Sequence, residues 1–249
     1  MIELRSVRKV FGGEGAAGHV ALDGVDLTVK AGELHALIGT SGCGKTTTLR
    51  LVNRLEEPTS GEVRVDGADV RSADPIRLRR GIGYVIQSGG LFPHWTVAQN
   101  VGALCELEGY APGRTAARVE ELLALVGLDP AKFGQRMPRE LSGGQRQRVG
   151  VARALALDPA HLLLDEPFGA LDPITRAELI QELQPLFARL GKTVLLVTHD
   201  LDEAFALGDR ITLMDRGRVV QTGVADDFTA RPADEFVARF VAGLRGARR

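Results

Sequence analysis

Hydrophobic positions along the chain follow three different periodicities. "MIELRSVRKVF" alternates apolar and polar residues as a half-buried strand does. "VALDGVDLTVKAGELHALIG" predicts two strands around a turn at Lys30–Gly32, and "GEVRVDGADV" predicts a hairpin turning at Asp66-Gly67. The first part of the chain therefore reads as β-rich and antiparallel. From Thr96 to about Leu157 the spacing is mostly helical, with breaks at "GYAPGR" and "GQRMPRE". Two short apolar runs follow, "HLLLD" (161–165) and "TVLLV" (193–197), separated by a helix from about Thr175 to Leu190. Such runs are buried on both faces and predict a parallel sheet covered by helices. "DRITLMDRGRVVQTG" closes the pattern with another strand pair. The expected fold class is α/β: a parallel-sheet core, an antiparallel β annex and a helical insert near 97–157.

Composition narrows the function classes. The 249 residues suffice for one large or two modest domains with a real core. Lys plus Arg number 31 against 32 Asp plus Glu, a net charge of −1. That argues against bulk attraction to nucleic acid or an anionic membrane, though not against a local patch. Two cysteines, Cys43 and Cys105, form no disulfide framework and fit a reducing compartment. The N-terminus lacks the apolar stretch of a secretory signal, and no apolar run approaches the ~20 residues of a spanning helix. The expectation is a soluble chain, or one that docks on something else in the membrane. No internal repeat or low-complexity segment is visible.

"HALIGTSGCGKTTTLRLVNRL" carries the strongest chemical signal. Gly39, Gly44, Lys45 and Thr46 satisfy G-x-x-x-x-G-K-[ST], after a strand at Leu34–Ile38 and before a helical stretch Lys45–Leu55. That context separates a phosphate loop from a bare glycine turn. Backbone amides of the loop, through Thr40, Ser41, Gly42 and Cys43, would wrap an anion at a helix N-terminus. Lys45 would reach the β and γ phosphates, Thr46 would bind Mg²⁺, and Thr47 is placed for the α-phosphate. Cys43 reads as a small filler rather than a nucleophile, because water attacks the phosphate.

A second site sits at the end of the "HLLLDEP" strand. A buried, unpaired carboxylate is costly, so Asp165 and Glu166 need a reason to be there. Beside a phosphate loop, Asp165 reads as a Mg²⁺ ligand, direct or through water. Glu166 then reads as the general base that deprotonates the attacking water. His199, in "LLVTHD", falls where parallel sheets place ligands and is assigned to the γ-phosphate. Gln87, ending "GIGYVIQ", can serve both Mg²⁺ and the water. Phe11, before a Gly-rich segment, has two open readings: a stack on adenine, or a core residue at a strand end.

"LSGGQRQRVGVARAL" (141–155) sets two glycines at a helix start, where each costs roughly 1 kcal/mol against Ala. Taken with "GTSGCGKT", Gln87, "LLLDEP", "ALD" and "TH", in that order, the chain resembles ATP-binding subunits of ABC transporters over nearly its whole length. The resemblance implies a P-loop NTPase cassette with parallel-sheet core, antiparallel β subdomain and helical subdomain, spanning 1–249 as one domain. It implies binding and hydrolysis of ATP with Mg²⁺ in a head-to-tail homodimer. There Leu141, Ser142, Gly143, Gly144 and Gln145, with Asp172, meet the ATP held by the partner's loop. The glycines would let a helix N-terminus approach that γ-phosphate.

"VNRLEEPTSG", "LRRGIGYVIQSGGLFPHWTVAQNV", "DEPFGALDPITR" and "RPADEFVARFV" resemble the branch that imports quaternary amines such as glycine betaine, choline and carnitine. That implies transmembrane permease subunits, a substrate-binding protein acting through them, no nucleic acid, and a peripheral place on the cytoplasmic face of the inner membrane. The alternatives are an importer ATPase for another small solute such as an amino acid, or a soluble ABC ATPase outside transport. Three departures stand out: Gly169 where Ser commonly precedes "ALD", no C-terminal CBS domains as longer members carry, and a longer "GGEGAAGHV" loop that blurs the alignment of Phe11. Leu91, Phe92 and Trp95 read either as core under the helical insert or as an exposed apolar patch. The resemblance favours the patch, as the receiver of a permease helix.

Overall fold

The computed structural model describes residues 1–12, 18–87 and 90–246. The "GGEGAAGHV" loop falls in part outside the described residues. The chain divides into two compact units, Met1–Arg79 with Thr193–Arg249, and Arg80–Lys192.

The first unit holds two kinds of sheet. Strands β1 (Ile2–Phe11), β2 (His19–Val29), β4 (Ser60–Val65) and β5 (Ala68–Asp69) form an antiparallel sheet in the order β2-β1-β4-β5. Ile2 and Leu4 of β1 alternate into the core as expected, and a register shift at left-handed Ser6 (φ 47°) then moves the next buried position to Val7. The β4–β5 hairpin turns at Asp66 (φ 50°) and Gly67 (φ 81°), both left-handed, as a two-residue turn between twisted strands requires. Strand β3 (Leu34–Gly39) does not continue this sheet. It pairs in parallel with β8 (Thr193–Val197) and β9 (Arg210–Asp215), and β10 (Arg218–Gly223) adds antiparallel to β9. The expectation of an antiparallel first part thus fails at β3. The physical reason is that all six residues of "LHALIG" are buried, so the strand needs both faces covered. Helices α1 (Lys45–Val52) and α8 (Leu201–Leu207) pack on it. Helix α1 is shorter than expected. It stops at Val52 because Arg54 turns left-handed (φ 52°) while Asn53 Oδ1 accepts from Leu55 N at 3.2 Å. Helices α2 (Pro75–Arg80), α9 (Ala225–Ala230) and α10 (Glu235–Gly246) have no counterpart in the sequence reading.

The second unit pairs β6 (Ile82–Val85) in parallel with β7 (His161–Asp165). Between them in sequence lies the helical insert: α3 (Val97–Leu107), α4 (Pro112–Leu125), the one-turn α5 (Pro130–Phe133) and α6 (Gly143–Ala154). Helix α7 (Pro173–Leu190) follows β7. Both α3 and α6 begin with a capping box, Thr96 with Gln99 and Ser142 with Gln145. Each box satisfies two orphan backbone donors reciprocally.

Candidate functional site

In the first unit, β3 delivers the chain to Gly39 at φ 147°. A Cβ there would stand 2.2 Å from the Met214 carbonyl oxygen and 2.7 Å from Cys43 Sγ. At Gly44 (φ 108°) it would stand 2.7 Å from the Ala21 carbonyl oxygen. Both positions therefore require glycine. Gly44 N-caps α1, no side chain caps that end, and the loop Thr40–Gly42 is exposed. Bare amides with the positive end of a helix dipole form an anion cradle. Lys45 is buried, and its Nζ donates to the carbonyls of Gly39 at 2.7 Å and Thr40 at 3.0 Å. The ammonium thus spans the loop it is expected to share with a phosphate. Thr46 and Thr47 are half-buried in the first turn, whereas Thr48 is buried and its hydroxyl donates back to Gly44 O at 3.1 Å. Cys43 lies under the loop, and burial raises its thiol pKa against the pull of Lys45.

His199 is exposed just past β8. Its neighbour Thr198 is tied to β3 through Thr198 N→Leu37 O at 3.2 Å. Phe11 ends β1 half-exposed, with Lys9 Nζ 4.7 Å from its ring centroid. It is no core residue, and one ring face already carries a cation.

In the second unit, Asp165 ends β7, buried, and accepts from Tyr84 Oη at 3.2 Å. Tyr84 was not anticipated. It sits on β6 opposite Leu163, and only strand pairing places its phenol on Asp165. Glu166 is left-handed at φ 44°, a costly backbone state for this residue that clusters at functional sites. Its Oε2 accepts from Gln87 Nε2 at 3.1 Å. Asp165, Glu166 and Gln87 are thus brought together by the β6–β7 pairing. A Cβ on Gly169 would lie 3.4 Å from Glu166 Oε2, ordinary contact, so a serine fits there beside the carboxylate.

Ser142 N-caps α6: Gln145 N donates to its Oγ at 3.2 Å, and Ser142 N donates to Gln145 Oε1 at 2.9 Å. Leu141 is buried, and its carbonyl accepts from Arg146 Nη1 at 2.6 Å. A Cβ on Gly143 would stand 2.8 Å from Leu171 Cδ2, and one on Gly144 3.2 Å from Thr175 Cγ2. The two glycines therefore have a packing reason beside the ligand reason: segment 171–175 lies against them. Asp172 caps α7, accepting from Ile174 N at 3.1 Å and Thr175 N at 3.0 Å. Hydrogen bonds from the Thr175 hydroxyl and amide hold its carboxyl below the usual range.

Past β6, buried Asn100 shapes the aromatic loop. Its Nδ2 donates to the carbonyls of Phe92, Trp95 and Thr96 at 3.0–3.2 Å, and its Oδ1 accepts from Phe92 N at 2.7 Å. Phe92 and Trp95 contact at 4.6 Å between centroids and are 48% and 40% exposed. They belong to a surface patch rather than to the core.

Within the second unit the Asp165 carboxylate and the Gln87 amide are hard oxygen donors, and within the first the Thr46 hydroxyl is another. Each is of the kind that suits Mg²⁺, which keeps waters and binds through one or two carboxylates plus substrate phosphates. Among the described residues no cluster of three His, Cys, Asp or Glu side chains could hold a metal unaided.

The sequence profile of the family "ABC transporter" matches residues 22–169. The chain is 50% identical over 240 residues to the glycine betaine uptake system ATP-binding protein YehX of Escherichia coli, covering 96% of this chain and 76% of that protein. It is 48% identical over 241 residues to the glycine betaine/carnitine/choline transport ATP-binding protein OpuCA of Bacillus subtilis, covering 97% and 62%. To the osmoprotectant import ATP-binding protein OsmV of Salmonella typhimurium it is 47% identical over 249 residues, covering 100% and 65%. The chain thus spans less than two thirds of the length of the last two. Among solved structures it resembles the dimeric, post-hydrolysis state of the ATP-binding cassette MJ0796 bound to ADP and Pi. The TM-score is 0.80 and the identity 35%, over 90% of this chain and 98% of that one. The chain belongs to the ABC transporter family. Within it, the protein is an ATP-binding cassette that hydrolyses ATP.

Proposed function

We propose that this chain powers an importer of quaternary ammonium osmoprotectants such as glycine betaine, choline or carnitine. It would work as a homodimer on the cytoplasmic face of the inner membrane, moving separate permease subunits fed by a substrate-binding protein. The solute class is supported by the names of the relatives above. The hydrolytic role is carried by one observation: Glu166, left-handed at the end of β7, with Gln87 Nε2 on its carboxylate at 3.1 Å.

In this reading the Gly39–Thr47 loop binds the phosphates, and Lys45 neutralises the β and γ groups. Asp165, Gln87 and Thr46 would hold Mg²⁺, which neutralises phosphate charge when bound. Glu166 takes the proton of the attacking water, and Gln87 orients that water and the carboxylate together. His199 donates to the γ-phosphate. Leu141–Gln145, through the Ser142 hydroxyl and the α6 N-terminus, close on the ATP of the partner subunit with Asp172 beside them. Phe11 would stack on adenine through a ring face, with Lys9 displaced or left on the opposite face.

A groove in the helical insert supports the permease as partner. A cavity of about 760 Å³ lies among α3, α4 and α5, with Val119 and Leu123 as an apolar floor and Glu106, Glu120 and Asp129 among its polar lining. Gln99, in the α3 turn that follows Trp95, also lines it. An apolar floor with acidic edges suits a short amphipathic helix carrying basic residues.

Uptake of radiolabelled glycine betaine by cells with and without the chain tests the proposal. Uptake should vanish without it, return with the wild type, and fail to return with Glu166→Gln. Restored uptake of an amino acid but not of betaine would overturn the solute class.

A further inference from the structure

Helices α6 and α7 begin with the same device. In "LSGGQR" (141–146) and "LDPITR" (171–176) a leucine precedes the N-cap, Ser142 or Asp172, and an arginine follows that cap by four residues. Arg146 Nη1 donates to the Leu141 carbonyl at 2.6 Å, and Arg176 Nη2 donates to the Leu171 carbonyl at 3.1 Å. Each guanidinium therefore folds back over the first turn of its own helix and fastens the peptide that carries the cap. Both leucine side chains are buried. Each cap is thus held from two sides, by the apolar anchor before it and by the charged bond to that anchor's carbonyl. The two helix starts also interlock. Leu171 Cδ2 stands 2.8 Å from where a Cβ on Gly143 would be, and Thr175 Cγ2 stands 3.2 Å from one on Gly144.

Helix stability does not explain the arginines. A cation in the first turn lies at the positive end of the helix dipole, where a carboxylate is the favoured charge. Orphan amides at both ends are already met, by the Ser142–Gln145 capping box and by the Asp172 carboxylate. What the arginines add is rigidity, because a charge-assisted hydrogen bond is roughly twice as strong as a neutral one. We propose that Arg146 and Arg176 are positioning residues that lock the two helix starts into one face for the partner's ATP. The Ser142 hydroxyl and Asp172 then meet the nucleotide without first being ordered, and closure of the dimer costs less. The proposal rests on the reading of Leu141–Gln145 and Asp172 as the surface that meets the partner's nucleotide.

The test is ATP-driven dimerisation of the purified full chain in the Glu166→Gln background, which holds MgATP without turning it over. Arg146→Met and Arg176→Met keep an apolar stem and remove the guanidinium. By sedimentation at saturating MgATP, each should raise the dimer dissociation constant roughly 10- to 100-fold, the scale of one lost charge-assisted hydrogen bond. The affinity of the single chain for a fluorescent ATP analogue should not change. Arg146→Lys can still donate to the Leu141 carbonyl and should recover most of the dimer, and it keeps the test open if a methionine variant folds poorly. The double variant should lose less than the product of the two single losses, because the interlocked starts form one face. A merely structural bond would lower the melting temperature and leave the dimer constant alone. Dimerisation at the parent level in both methionine variants, or an equal loss of ATP affinity by the single chain, would overturn the proposal. If Ser142→Arg dimerises on MgATP as the parent does, the reading of this surface fails and the proposal falls with it. That failure is read from the Ser142 variant and not from the arginine variants.

Discussion

Two buried side chains show how a neighbour's charge and the loss of water set reactivity. Burial raises the Cys43 thiol pKa, and its sulfur lies 3.8 Å from Lys45 Nζ beneath the phosphate loop. Alkylation of apo protein should therefore be slow at neutral pH, because the thiolate is the nucleophile. Saturating MgATP should slow it further, while Cys105, buried in α3, keeps its own rate with and without nucleotide. Mass spectrometry of a maleimide time course checks this; equal labelling of Cys43 in both states would place it outside the pocket. His35 is fully buried on β3, with Nδ1 2.8 Å from Glu33 Oε1 and Nε2 2.7 Å from Thr212 Oγ1. A carboxylate only accepts, so the neutral ring gives Nδ1–H to Glu33 and takes the Thr212 hydroxyl hydrogen at Nε2. Burial lowers the His35 pKa, and Glu33 opposes that. The unfolded chain then binds the proton more readily, and this residue's contribution to stability is lost as pH falls below about 6.5. Thermal midpoints between pH 7.5 and 5.5 should fall in the wild type and fall less in His35→Gln.

At the scale of elements, the loop between β6 and α3 depends on one side chain. Asn100 is fully buried, shares the two hydrogens of Nδ2 among three carbonyls there, and accepts from one amide. Arg153 of α6 adds a bond from Nη1 to Gly90 O at 2.8 Å. Asn100→Ala takes these bonds from the Phe92 amide and the Trp95 carbonyl, while the Phe92 and Thr96 carbonyls keep backbone donors in Trp95 N and Asn100 N; a lost bond is worth about 0.5–1.5 kcal/mol. The expected loss is of that order, read from urea unfolding. Acrylamide quenching of Trp95, the only tryptophan, should rise as the Phe92 contact loosens. Trp95→Ala should differ: a half-exposed ring contributes little to stability, so the melting temperature should barely move while assembly with the permease drops. A large loss of stability would return Trp95 to the core. Ala116→Trp should likewise fill the α3–α5 groove and block assembly while basal ATPase activity stays unchanged.

At the scale of the whole molecule, the proposal is that a second copy completes the site, and two variants separate its parts. Lys45→Ala removes the ammonium from the anion cradle and should weaken nucleotide binding itself. Ser142→Arg leaves the chain's own cradle intact. It should spare binding by each chain and abolish hydrolysis, because it obstructs only the ATP of the partner. Titration of a fluorescent ATP analogue, alongside turnover, distinguishes them; equal losses of affinity would rule out the two-chain site. Glu166→Gln should bind MgATP, lose turnover and elute as a dimer on size exclusion. A persistent monomer with normal turnover would remove Glu166 as the base.

What the chain determined unaided is what local spacing can carry. G-x-x-x-x-G-K-[ST] between a strand and a helix, the apolar runs of β7 and β8, and the Asp66-Gly67 hairpin each depend on neighbours in sequence, and each is found where the pattern puts it. Tertiary structure decided what depends on pairing at long range. Strand β3 follows β2 closely in sequence yet joins β8 and β9, more than 150 residues on, because a strand buried at every position must be covered on both faces. The Tyr84 phenol reaches Asp165 only through the β6–β7 register. Crowding of Gly143 by Leu171 and the Asn100 network are likewise contacts that no periodicity records, since each is fixed by which side chains the fold brings within bonding distance.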